Sequence, residues 1–394
     1  MKVCHVVTAF ARNEKDQFIT PWMISMLKQQ QNIGIDNTVF APAWKGLKAN
    51  IFEGIRVKRF RYFIKKFEVF SHDNSFPSQI KNNFLYAPLG LFLLFFGAIS
   101  LARLLKKEDF DLVHIHWPLP LSLMTVFLPK DLPIVYTYYS AEIVFFKNLA
   151  APLRWFFKGF IKKAKKHIVI SSYTKEIFHK NFPEFEVITI PACHQFPSEI
   201  RDAKFPEKKP YRLLFVGRLV PRKGVRYLIE AMASLLEEID VELTIIGDGV
   251  LFDELSDLAE TLKVNDKVEF FGFVSHEEKL KTYYNSDLFV LPACFDDNND
   301  TEGLGMVLVE ALSYGCPVIA SKVGGIVDIV KDGKTGLLFE EKSPEAIKNA
   351  VLTIFEDPEL YMRLARDGAE FVKAKFDSKN IAKRIIKVYE SAIR

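Results

Sequence analysis

Short apolar, β-branched runs alternate along this chain with longer stretches in which apolar residues recur at helical spacing. In the first half these runs predict strands at residues 3–8, 38–40, 55–60, 111–114, 134–137, 168–170 and 187–190. In the second half they predict strands at residues 212–216, 243–246, 268–271, 288–291 and 318–319. The first helix is predicted at residues 18–31, and helices close the chain. Strands that alternate with helices in this way are typical of doubly wound parallel sheets.

A polar, proline-containing segment at residues 197–210 interrupts this alternation and is predicted to be a linker. A chain of 394 residues is also too long for one ordinary hydrophobic core. The predicted fold is therefore α/β, with one Rossmann-like domain at residues 1–200 and a second at residues 201–375. Two such domains would place a cleft between the carboxyl ends of their sheets.

One stretch of the first half, residues 84–105, is apolar for long enough to cross a bilayer, which takes about 20 such residues. It contains Pro88, Gly90 and Gly97, however, and it runs directly into the strand predicted at residue 111. A membrane span there would separate that strand from its sheet. We therefore expect a core or surface helix of the domain, with a transmembrane helix as the alternative.

Composition and cysteine usage narrow the class of protein. Apolar residues make up 49% of the chain and charged residues 26%, which is typical of a soluble globular enzyme rather than a disordered chain. The four cysteines lie far apart, without a C-x-x-C pair. This spacing favours reduced thiols in the cytoplasm over a structural zinc or a disulfide framework. The N-terminal residues predict a strand and lack a signal-peptide cleavage site.

Positive charge is concentrated in the first half. Residues 1–199 hold 26 Lys and Arg against 15 Asp and Glu, a net charge of +11, whereas the remainder holds 27 against 34, a net charge of −7. Two basic segments rich in aromatic residues, 56–66 and 154–166, resemble membrane-interface surfaces. They predict an anionic membrane surface as a partner, with a solvated helix face as the alternative. No nucleic-acid motif accompanies the charge, so nucleic acid is not expected as a partner.

The most informative stretch is T-E-G-L-G-M-V-L-V-E-A-L-S-Y, at residues 301–314. A Gly-x-Gly turn that enters a helix leaves backbone N–H groups at the positive end of the helix dipole, which suits a phosphate. Glu310 lies in the apolar run that follows, where burying an unpaired charge is costly. It could accept hydrogen bonds from two neighbouring hydroxyls, as in a nucleotide sugar. Alternatively, it pairs with an arginine while Glu302 caps the helix.

Two cations follow a strand predicted in the second half. That strand ends at Gly217 and Arg218, and Lys223 follows five residues later. We expect both cations to line a cleft opposite the glycine-rich helix start, where they would hold a departing diphosphate. As cleft-lining residues they should contribute little to the core, so the fold should survive their loss. A glycine-rich turn, I-G-D-G, ends at Gly249. The loop F-G-F-V at residues 271–274 could line the base of a nucleotide.

In order and spacing these motifs resemble the donor-binding domain of glycosyltransferase family 4, whose members are retaining enzymes of the GT-B fold. The matching stretches are V-G-R-L-V-P-R-K-G (216–224), I-I-G-D-G (245–249), F-F-G-F-V-S (270–275), residues 300–320, V-G-G-I (323–326) and D-G-K-T-G-L-L (332–338). The family's signature is a pair of glutamates separated by seven residues, here Glu302 and Glu310. The first half matches more loosely, at 111–118 and 168–172. The resemblance implies that the last segment, 376–394, contains a helix that crosses back to the first domain.

The resemblance also implies a role for each matching residue. Arg218 and Lys223 would hold the diphosphate and stabilise the leaving nucleotide, and Glu302 would bind a hydroxyl of the transferred sugar. Glu310 would bind the ribose hydroxyls. The other implied donor-binding residues lie in the glycine turns and at the helix start: Gly217, Gly249, Gly272, Phe273, Val274, Gly303, Leu304, Gly305, Met306 and Val307.

The family generally needs no metal, which agrees with the lack of a D-x-D motif after a strand at the cleft. We therefore expect no cofactor besides the nucleotide sugar, which is a substrate. Asp296, Asp297 and Asp300 are interpreted as a polar loop, with a metal site as the alternative.

Three departures from the family's pattern affect the acceptor side. Residues 10–17 replace the usual glycine-rich loop, and Arg12 could contact phosphate or acceptor there. Tyr139 stands where the family often has histidine, and it can donate one hydrogen bond but cannot act as a base near neutral pH. Asp328 stands at a usual glutamate. His116, within the match at 111–118, is the remaining residue expected on the acceptor side.

The sequence thus predicts transfer of a hexose, with retention, from a nucleoside diphosphate sugar to a lipid-linked saccharide or a surface polysaccharide. The expected location is the cytoplasm or the inner face of the cell membrane. One alternative is a GT-B sugar-nucleotide epimerase, which releases nucleotide without an acceptor. A second is a nucleotide-sugar-binding subunit that lost turnover when Tyr139 replaced the histidine. A hydride-transferring Rossmann enzyme is disfavoured because no G-x-G-x-x-G follows the first strand.

Overall fold

The computed structural model describes residues 1–12, 20–70, 87–197 and 204–394. The chain divides into two compact units: unit 1 contains Met1–Cys193 and Ser378–Arg394, and unit 2 contains His194–Asp377. The boundaries expected from the sequence, at residues 200 and 375, lie a few residues from these divisions. Parts of the predicted first helix, of the apolar stretch, of the linker and of the loop at 10–17 lie outside the described residues.

Unit 1 is built on one eight-stranded sheet. Its strands are β1 (Lys2–Val6), β2 (Asp36–Pro42), β3 (Asn50–Phe52), β4 (Ile55–Phe60), β5 (Leu112–His116), β6 (Ile134–Tyr138), β7 (Lys166–Val169) and β8 (Val187–Thr189). They are ordered β3-β4-β2-β1-β5-β6-β7-β8, and every described pair is parallel except β3 with β4. The strand order reverses between β1 and β5. The carboxyl ends of these two strands therefore flank the switch point at which parallel sheets bind ligands.

Unit 2 is built on a six-stranded, wholly parallel sheet. Its strands are β9 (Tyr211–Val216), β10 (Val241–Ile246), β11 (Val268–Gly272), β12 (Leu288–Leu291), β13 (Val318–Ser321) and β14 (Leu337–Phe339). They are ordered β11-β10-β9-β12-β13-β14. Renumbered within the unit this is 3-2-1-4-5-6, the Rossmann order, and its switch point lies between β9 and β12. The loops after these two strands are the ones that carry Arg218, Lys223 and Glu302.

Helices connect most of the parallel strands, as a parallel sheet requires. In chain order they are α1 (Pro21–Asn32), α2 (Ala87–Lys107), α3 (Pro118–Leu121), α4 (Ala141–Lys147), α5 (Ala151–Ile161), α6 (Ser172–Asn181), α7 (Val225–Leu235), α8 (Phe252–Thr261), α9 (His276–Asn285), α10 (Met306–Ser313), α11 (Pro344–Glu356), α12 (Pro358–Phe376) and α13 (Ser378–Ile393). Helix α13 belongs to unit 1, where its buried face joins the core beside α1.

Helix α2 contains most of the apolar stretch. Among the described helices, it alone is long and apolar enough to cross a membrane, with a mean hydropathy of 2.0 over its most apolar window. Leu89, Leu93 and Leu101 on one face are buried in the unit 1 core. Leu91 and Phe95 on the opposite face are 69% and 55% exposed. Because α2 packs one face on the sheet and leads into β5, it is a surface helix of unit 1.

Candidate active site

The turn after β9 brings the first predicted cations to the switch point of unit 2. One turn of 3₁₀ helix, Pro221–Lys223, ends at Gly224, whose φ is 64°. A Cβ on Gly224 would lie 1.9 Å from the carbonyl oxygen of Pro292, the first residue after β12. Glycine is therefore required for the loops after β9 and β12 to touch. Lys223 is only 8% exposed, whereas Arg218 is exposed.

Lys223 and Glu302, 79 residues apart, form an ion pair between Nζ and Oε2. Arg222 Nη1 lies 3.5 Å from the same carboxylate oxygen. Burial alone would raise the pKa of Glu302, but the charges of Lys223 and Arg222 outweigh it and lower that pKa to about 2. Burial also lowers the pKa of Lys223, against the attraction of Glu302. Glu302 is thus a carboxylate at neutral pH, held by two cations from the other loop.

This burial bears on the expectation that the fold would survive the loss of either cation, which stays a prediction. Arg218 fits that expectation because it is exposed. Lys223 does not, because its side chain is 10% exposed and that of Glu302 is 13% exposed. Removing one partner of a buried pair leaves the other charge without compensation. We therefore expect Lys223 to stabilise the fold of unit 2 in addition to any role in binding.

Helix α10 begins at Gly305, which has φ 91° and ψ 50°. No side chain caps the helix, so Glu302 is not the cap that one sequence interpretation required. The N–H groups of Met306 and Val307 lie in the first turn, where no carbonyl of the helix can reach them. Together with the helix dipole they can bind an anion. The side chain of Leu304 is buried at 2% exposure, so only its backbone can face a ligand.

The loop before α10 rests on a second pair of glycines. A Cβ on Gly324 would lie 2.2 Å from the carbonyl oxygen of Glu302, and one on Gly325 would lie 2.1 Å from that of Gly303. The Gly325 N–H donates to the Glu302 carbonyl at 2.9 Å. The motif V-G-G-I therefore supports the T-E-G-L-G loop through backbone contact.

Glu310 is paired, but with a lysine and a tyrosine rather than with an arginine. Lys279 Nζ and the Tyr283 hydroxyl, both from α9, donate to Glu310 Oε2 at 3.0 and 3.1 Å. Burial alone would raise the pKa of Glu310, but the charge of Lys279 outweighs it and lowers that pKa. Both bonds fall on Oε2. Within the described residues no bond is recorded for Oε1, which can accept hydrogen bonds from a ligand.

The two other glycine turns differ in what their glycines do. A Cβ on Gly249 would lie 2.3 Å from the carbonyl oxygen of Leu219, so this glycine is required by packing against the loop after β9. Gly272 has φ 62° with open space around its Cβ position. Next to it Phe273 is 71% exposed and Val274 is partly buried. The 271–274 loop thus offers an exposed apolar surface. Gly249 shapes the neighbouring loop, beside Gly217, and its contact with the donor stays a prediction.

Three residues of this site were missed by the sequence analysis: Arg222, Lys279 and Tyr283. Arg222 lies next to Lys223, but the sequence gives no reason for both side chains to reach one carboxylate. Lys279 and Tyr283 are four residues apart and so share one face of α9. That spacing could have indicated that the two side chains act together, but it does not show that their partner is a carboxylate on α10.

The acidic loop before Glu302 uses its carboxylates internally. Asp296 Oδ1 accepts hydrogen bonds from the backbone N–H groups of Asn298 and Asp300, both at 2.9 Å. Asp300 lies 3.6 Å from Arg222 Nε. These contacts agree with the interpretation as a polar loop, and the absence of a metal requirement stays a prediction.

In unit 1 two of the three predicted acceptor-side residues meet directly. The Tyr139 hydroxyl lies 2.7 Å from His116 Nδ1, where β5 and β6 end. Arg12 instead stacks its guanidinium on Trp44, 4.6 Å from the ring centroid.

Three buried histidines, His5, His114 and His116, have the spacing of a metal site, with one nitrogen from each within 4.8 Å of the others. Burial lowers the pKa of His5 to about 4 and those of the other two well below the usual value, so all three rings are neutral. However, both nitrogens of every ring already have hydrogen-bond partners. These are His116 and Asn37 for His5, Tyr389 and Thr137 for His114, and His5 and Tyr139 for His116.

Two family models match the chain. The model for Glycosyltransferase Family 4 matches residues 22–192, and the model for Glycosyl transferases group 1 matches residues 197–371. The two matches meet near the division between the two units.

Among curated proteins, an uncharacterized glycosyltransferase of Methanocaldococcus jannaschii is 30% identical over 290 residues, which cover 73% of this chain and 77% of that protein. A GDP-mannose-dependent alpha-(1-6)-phosphatidylinositol monomannoside mannosyltransferase of Mycobacterium tuberculosis is 31% identical over 232 residues. These cover 55% of this chain and 59% of that protein. Among solved structures, HepE of Anabaena in complex with UDP and glucose superposes with a TM-score of 0.71 at 18% identity, over 99% of this chain and 100% of that one.

The buried ion pair predicts a stability difference between two cation substitutions. Lys223→Met should lower the free energy of unfolding of unit 2 by as much as about 3–5 kcal/mol, because it leaves the buried carboxylate of Glu302 with only the longer contact to Arg222. Arg218→Met, at an exposed position in the same loop, should lower it by less than about 1 kcal/mol. Urea denaturation at pH 7, followed by hydrogen exchange of the β9 and β12 amides, measures both. Equal effects would show that the Lys223–Glu302 pair adds no stability.

The pKa of Glu302 predicts an acid dependence of stability. It lies near 2 in the fold and near 4.5 ordinarily, so the carboxylate stabilises the fold above about pH 4.5. That contribution is lost as the pH falls from 4.5 toward 2, because the proton then binds the unfolded chain first. The melting temperature of wild-type protein should fall more steeply over this range than that of Glu302→Gln. Parallel curves for the two proteins would contradict the lowered pKa.

Proposed function

The chain belongs to glycosyltransferase family 4 and is a hexosyltransferase of the GT-B fold, and on that premise we propose a more specific reaction. It transfers the hexose with retention, from a nucleoside diphosphate sugar to a lipid-linked saccharide or a growing polysaccharide. The observation that carries this proposal is the meeting of Lys223 with Glu302 at the switch point of unit 2, beside the uncapped start of α10.

The diphosphate binds between the turn after β9 and the first turn of α10. Arg218 is exposed in that turn, and its charge contributes to the lowered pKa of Glu302. The N–H groups of Met306 and Val307 and the dipole of α10 add partial positive charge. Preorganised donors of this kind stabilise the charge that develops on the β-phosphate as the glycosidic bond breaks.

Glu310 binds the ribose. Its Oε2 is held by Lys279 and Tyr283, which fixes the carboxylate and directs Oε1 to a ribose hydroxyl. The exposed loop at Phe273 contacts the base. The identity of the nucleotide base is open, because one relative is named as GDP-mannose-dependent and the structure of a protein with the same fold holds UDP.

Glu302 binds a hydroxyl of the transferred sugar through the carboxylate that Lys223 and Arg222 keep ionised. The bond between the anomeric carbon and the β-phosphate oxygen breaks, and the acceptor oxygen bonds to the same face of that carbon. The proton of the acceptor hydroxyl passes to the departing phosphate. This route needs no protein nucleophile, and we assign none.

Product analysis separates transfer from the two alternatives. The protein is screened by thermal shift against UDP-, GDP- and ADP-sugars, and the stabilising sugar nucleotide is incubated with and without a lipid-linked saccharide. A transferase forms an acceptor-dependent product with the donor's anomeric configuration. An epimerase releases nucleotide without acceptor, and a binding subunit does neither.

The acceptor side is proposed to work at an anionic membrane surface. Of the large apolar side chains that are exposed in the described residues, more than half lie in four segments of unit 1: 63–67, 91–96, 126–127 and 153–156. We call this surface the apolar face. Phe63 stacks on Phe92 at 5.3 Å between ring centroids, which joins the first two segments. Val126 lines one shallow cavity together with Trp155 and Phe156, which joins the last two.

Basic residues accompany the apolar face. Lys65 and Lys66 lie within its first segment, and Arg154, Lys158 and Lys162 lie among or just after its last. Aromatic rings with neighbouring cations are typical of surfaces that insert among lipid headgroups and attract anionic lipid. A lipid-linked acceptor would be reached from such a surface, in the cytoplasm or on the inner face of the cell membrane. One curated relative is named for a phosphatidylinositol monomannoside.

The phosphate assignment predicts a kinetic signature for Arg218→Ala. Because Arg218 acts when charge develops, turnover should fall about 10²- to 10³-fold while the apparent donor constant rises much less. Glu310→Gln should instead weaken donor binding, with about 1.5–3 kcal/mol at stake for a charged hydrogen bond. Steady-state kinetics and calorimetry of the folded variants measure both. Near-normal turnover by Arg218→Ala would contradict the assignment.

The apolar face predicts salt-sensitive membrane binding. Wild-type protein should bind vesicles containing anionic lipid and leave them at high salt, because the attraction is screened over about 8–10 Å at physiological ionic strength. Replacing Trp155, which is 79% exposed, by serine should weaken binding, whereas Phe273→Ser, at a 71% exposed position in unit 2, should not. Retention through an alkaline carbonate wash would contradict peripheral docking and favour a span in α2.

A further inference from the structure

Three partly buried aromatic rings meet where the unit 1 sheet reverses its strand order. Trp22 lies in the first turn of α1, Trp117 follows β5, and Tyr139 follows β6. Trp117 stacks on Tyr139 with 4.3 Å between ring centroids, and Trp22 lies 5.2 Å from Tyr139 and 6.2 Å from Trp117. We call these three rings the aromatic platform. The predicted site contained only Tyr139 of the three.

The backbone beside each ring is held in an unfavourable conformation. Thr20, Trp117 and Ser140 have φ angles of 53°, 53° and 89°, in the region that favours glycine. Such residues usually persist only where the surrounding structure forces them, and they cluster at functional sites. At Tyr139 the backbone N–H donates to the Glu142 carboxylate at 2.7 Å, which fixes the turn. One of the strained residues is Trp117 itself, and the other two lie within two residues of Trp22 and Tyr139, so the surrounding structure holds the backbone at the rings in place.

A chain of hydrogen bonds runs from Asn37 through two histidines to Tyr139, and the direction of each bond follows from that of the bond before it. The Asn37 amide donates to the Leu27 carbonyl at 3.2 Å, so its oxygen must accept from His5 Nε2 at 3.0 Å. Neutral His5 then accepts at Nδ1 from His116 Nε2, at 3.3 Å. Neutral His116 in turn accepts at Nδ1 from the Tyr139 hydroxyl, at 2.7 Å.

The Tyr139 proton is therefore committed to His116, and the Tyr139 oxygen offers only lone pairs to a ligand. This reverses the expectation from the sequence, in which Tyr139 donates. A cavity of about 20 Å³ is lined by Trp22, His116, Thr137 and Tyr139 together with ten other, mostly apolar residues. That volume admits a single water-sized group such as one hydroxyl.

We propose that the aromatic platform binds one pyranose ring, packing its apolar face on the tryptophans while one sugar hydroxyl donates to the Tyr139 oxygen. The identification of this sugar as the acceptor rests on the proposed function, but the binding site does not. Half-buried rings beside one polar group of fixed direction match an amphipathic sugar, because the rings cover its C–H face and Tyr139 selects a hydroxyl. His116 and His5 are positioning residues that fix the direction of the Tyr139 hydroxyl.

The indole N–H signals of the full-length protein provide the direct test. The chain has four tryptophans, and each signal is assigned by replacing one residue at a time with phenylalanine. Titration with methyl α-D-mannopyranoside and methyl α-D-glucopyranoside should shift the signals of Trp22 and Trp117 but not that of Trp155. Trp117→Leu should weaken binding at least tenfold, whereas Trp155→Leu should not. Unshifted Trp22 and Trp117 signals would overturn the site and leave the rings as ordinary packing.

A second measurement tests the direction of the Tyr139 bond. Tyr139→Phe should weaken pyranoside binding about 3- to 12-fold, as expected for one neutral hydrogen bond. Monodeoxy and deoxyfluoro pyranosides altered at the selected hydroxyl should lose the same factor against wild-type protein, because neither can donate. Against Tyr139→Phe they should lose nothing further. A deoxyfluoro sugar that binds wild-type protein as well as the parent would show that Tyr139 donates, which overturns the derived direction.

Nucleotide titration separates this site from the proposed function. Wild-type protein and Trp117→Leu should bind UDP or GDP equally, since the donor residues lie in unit 2. Pyranoside binding without any nucleotide binding would support the platform while contradicting the proposed function. Nucleotide-dependent transfer with an acceptor KM unchanged by Trp117→Leu would support the proposed function while contradicting the platform as the acceptor site.

Discussion

The contact between Lys223 and Glu302 is the constraint on which unit 2 depends. It joins the loops after β9 and β12, the two strands on either side of the switch point, through a pair of largely buried charges. Gly224 allows those loops to touch, and Gly324 and Gly325 support the loop that carries Glu302. A buried pair is a poor source of stability compared with apolar packing, but it fixes where both charges lie. The same contact therefore organises the fold and places charge where a diphosphate sugar would bind.

Unit 1 uses neutral hydrogen bonds for a comparable purpose. Burial keeps His5 and His116 at its switch point uncharged. The hydrogen bond between the two rings fixes which nitrogen of each ring carries the proton. The chain of bonds starts at the buried amide of Asn37 and ends at the partly buried Tyr139, so Asn37 sets the direction of the hydrogen bond that the Tyr139 hydroxyl makes. Such a network specifies direction without requiring a charge in the core.

The strand pattern predicted most of both sheets, because buried parallel strands are short β-branched runs. It missed β3 and β14, which are three-residue strands at or near sheet edges with too few residues to show a pattern. In the site, the family spacing identified Glu302 and Glu310, but their partners Arg222, Lys279 and Tyr283 depend on contacts between distant segments. Nothing in the sequence indicated that the backbone of Leu219 requires glycine at Gly249, because the two residues are brought together only by the fold. The direction of the Tyr139 bond could not be read from the sequence, because it is set by Asn37, about a hundred residues earlier.

The central claim is that unit 2 recognises a diphosphate through the loop after β9 and the start of α10. Calorimetric titration of the wild-type protein with a nucleoside diphosphate and with the monophosphate of the same base tests it most directly, for the uridine, guanosine and adenosine series. The account predicts that in one series the diphosphate binds at least tenfold more tightly, and that Arg218→Ala narrows this difference. Equal affinities for diphosphate and monophosphate in every series would contradict it.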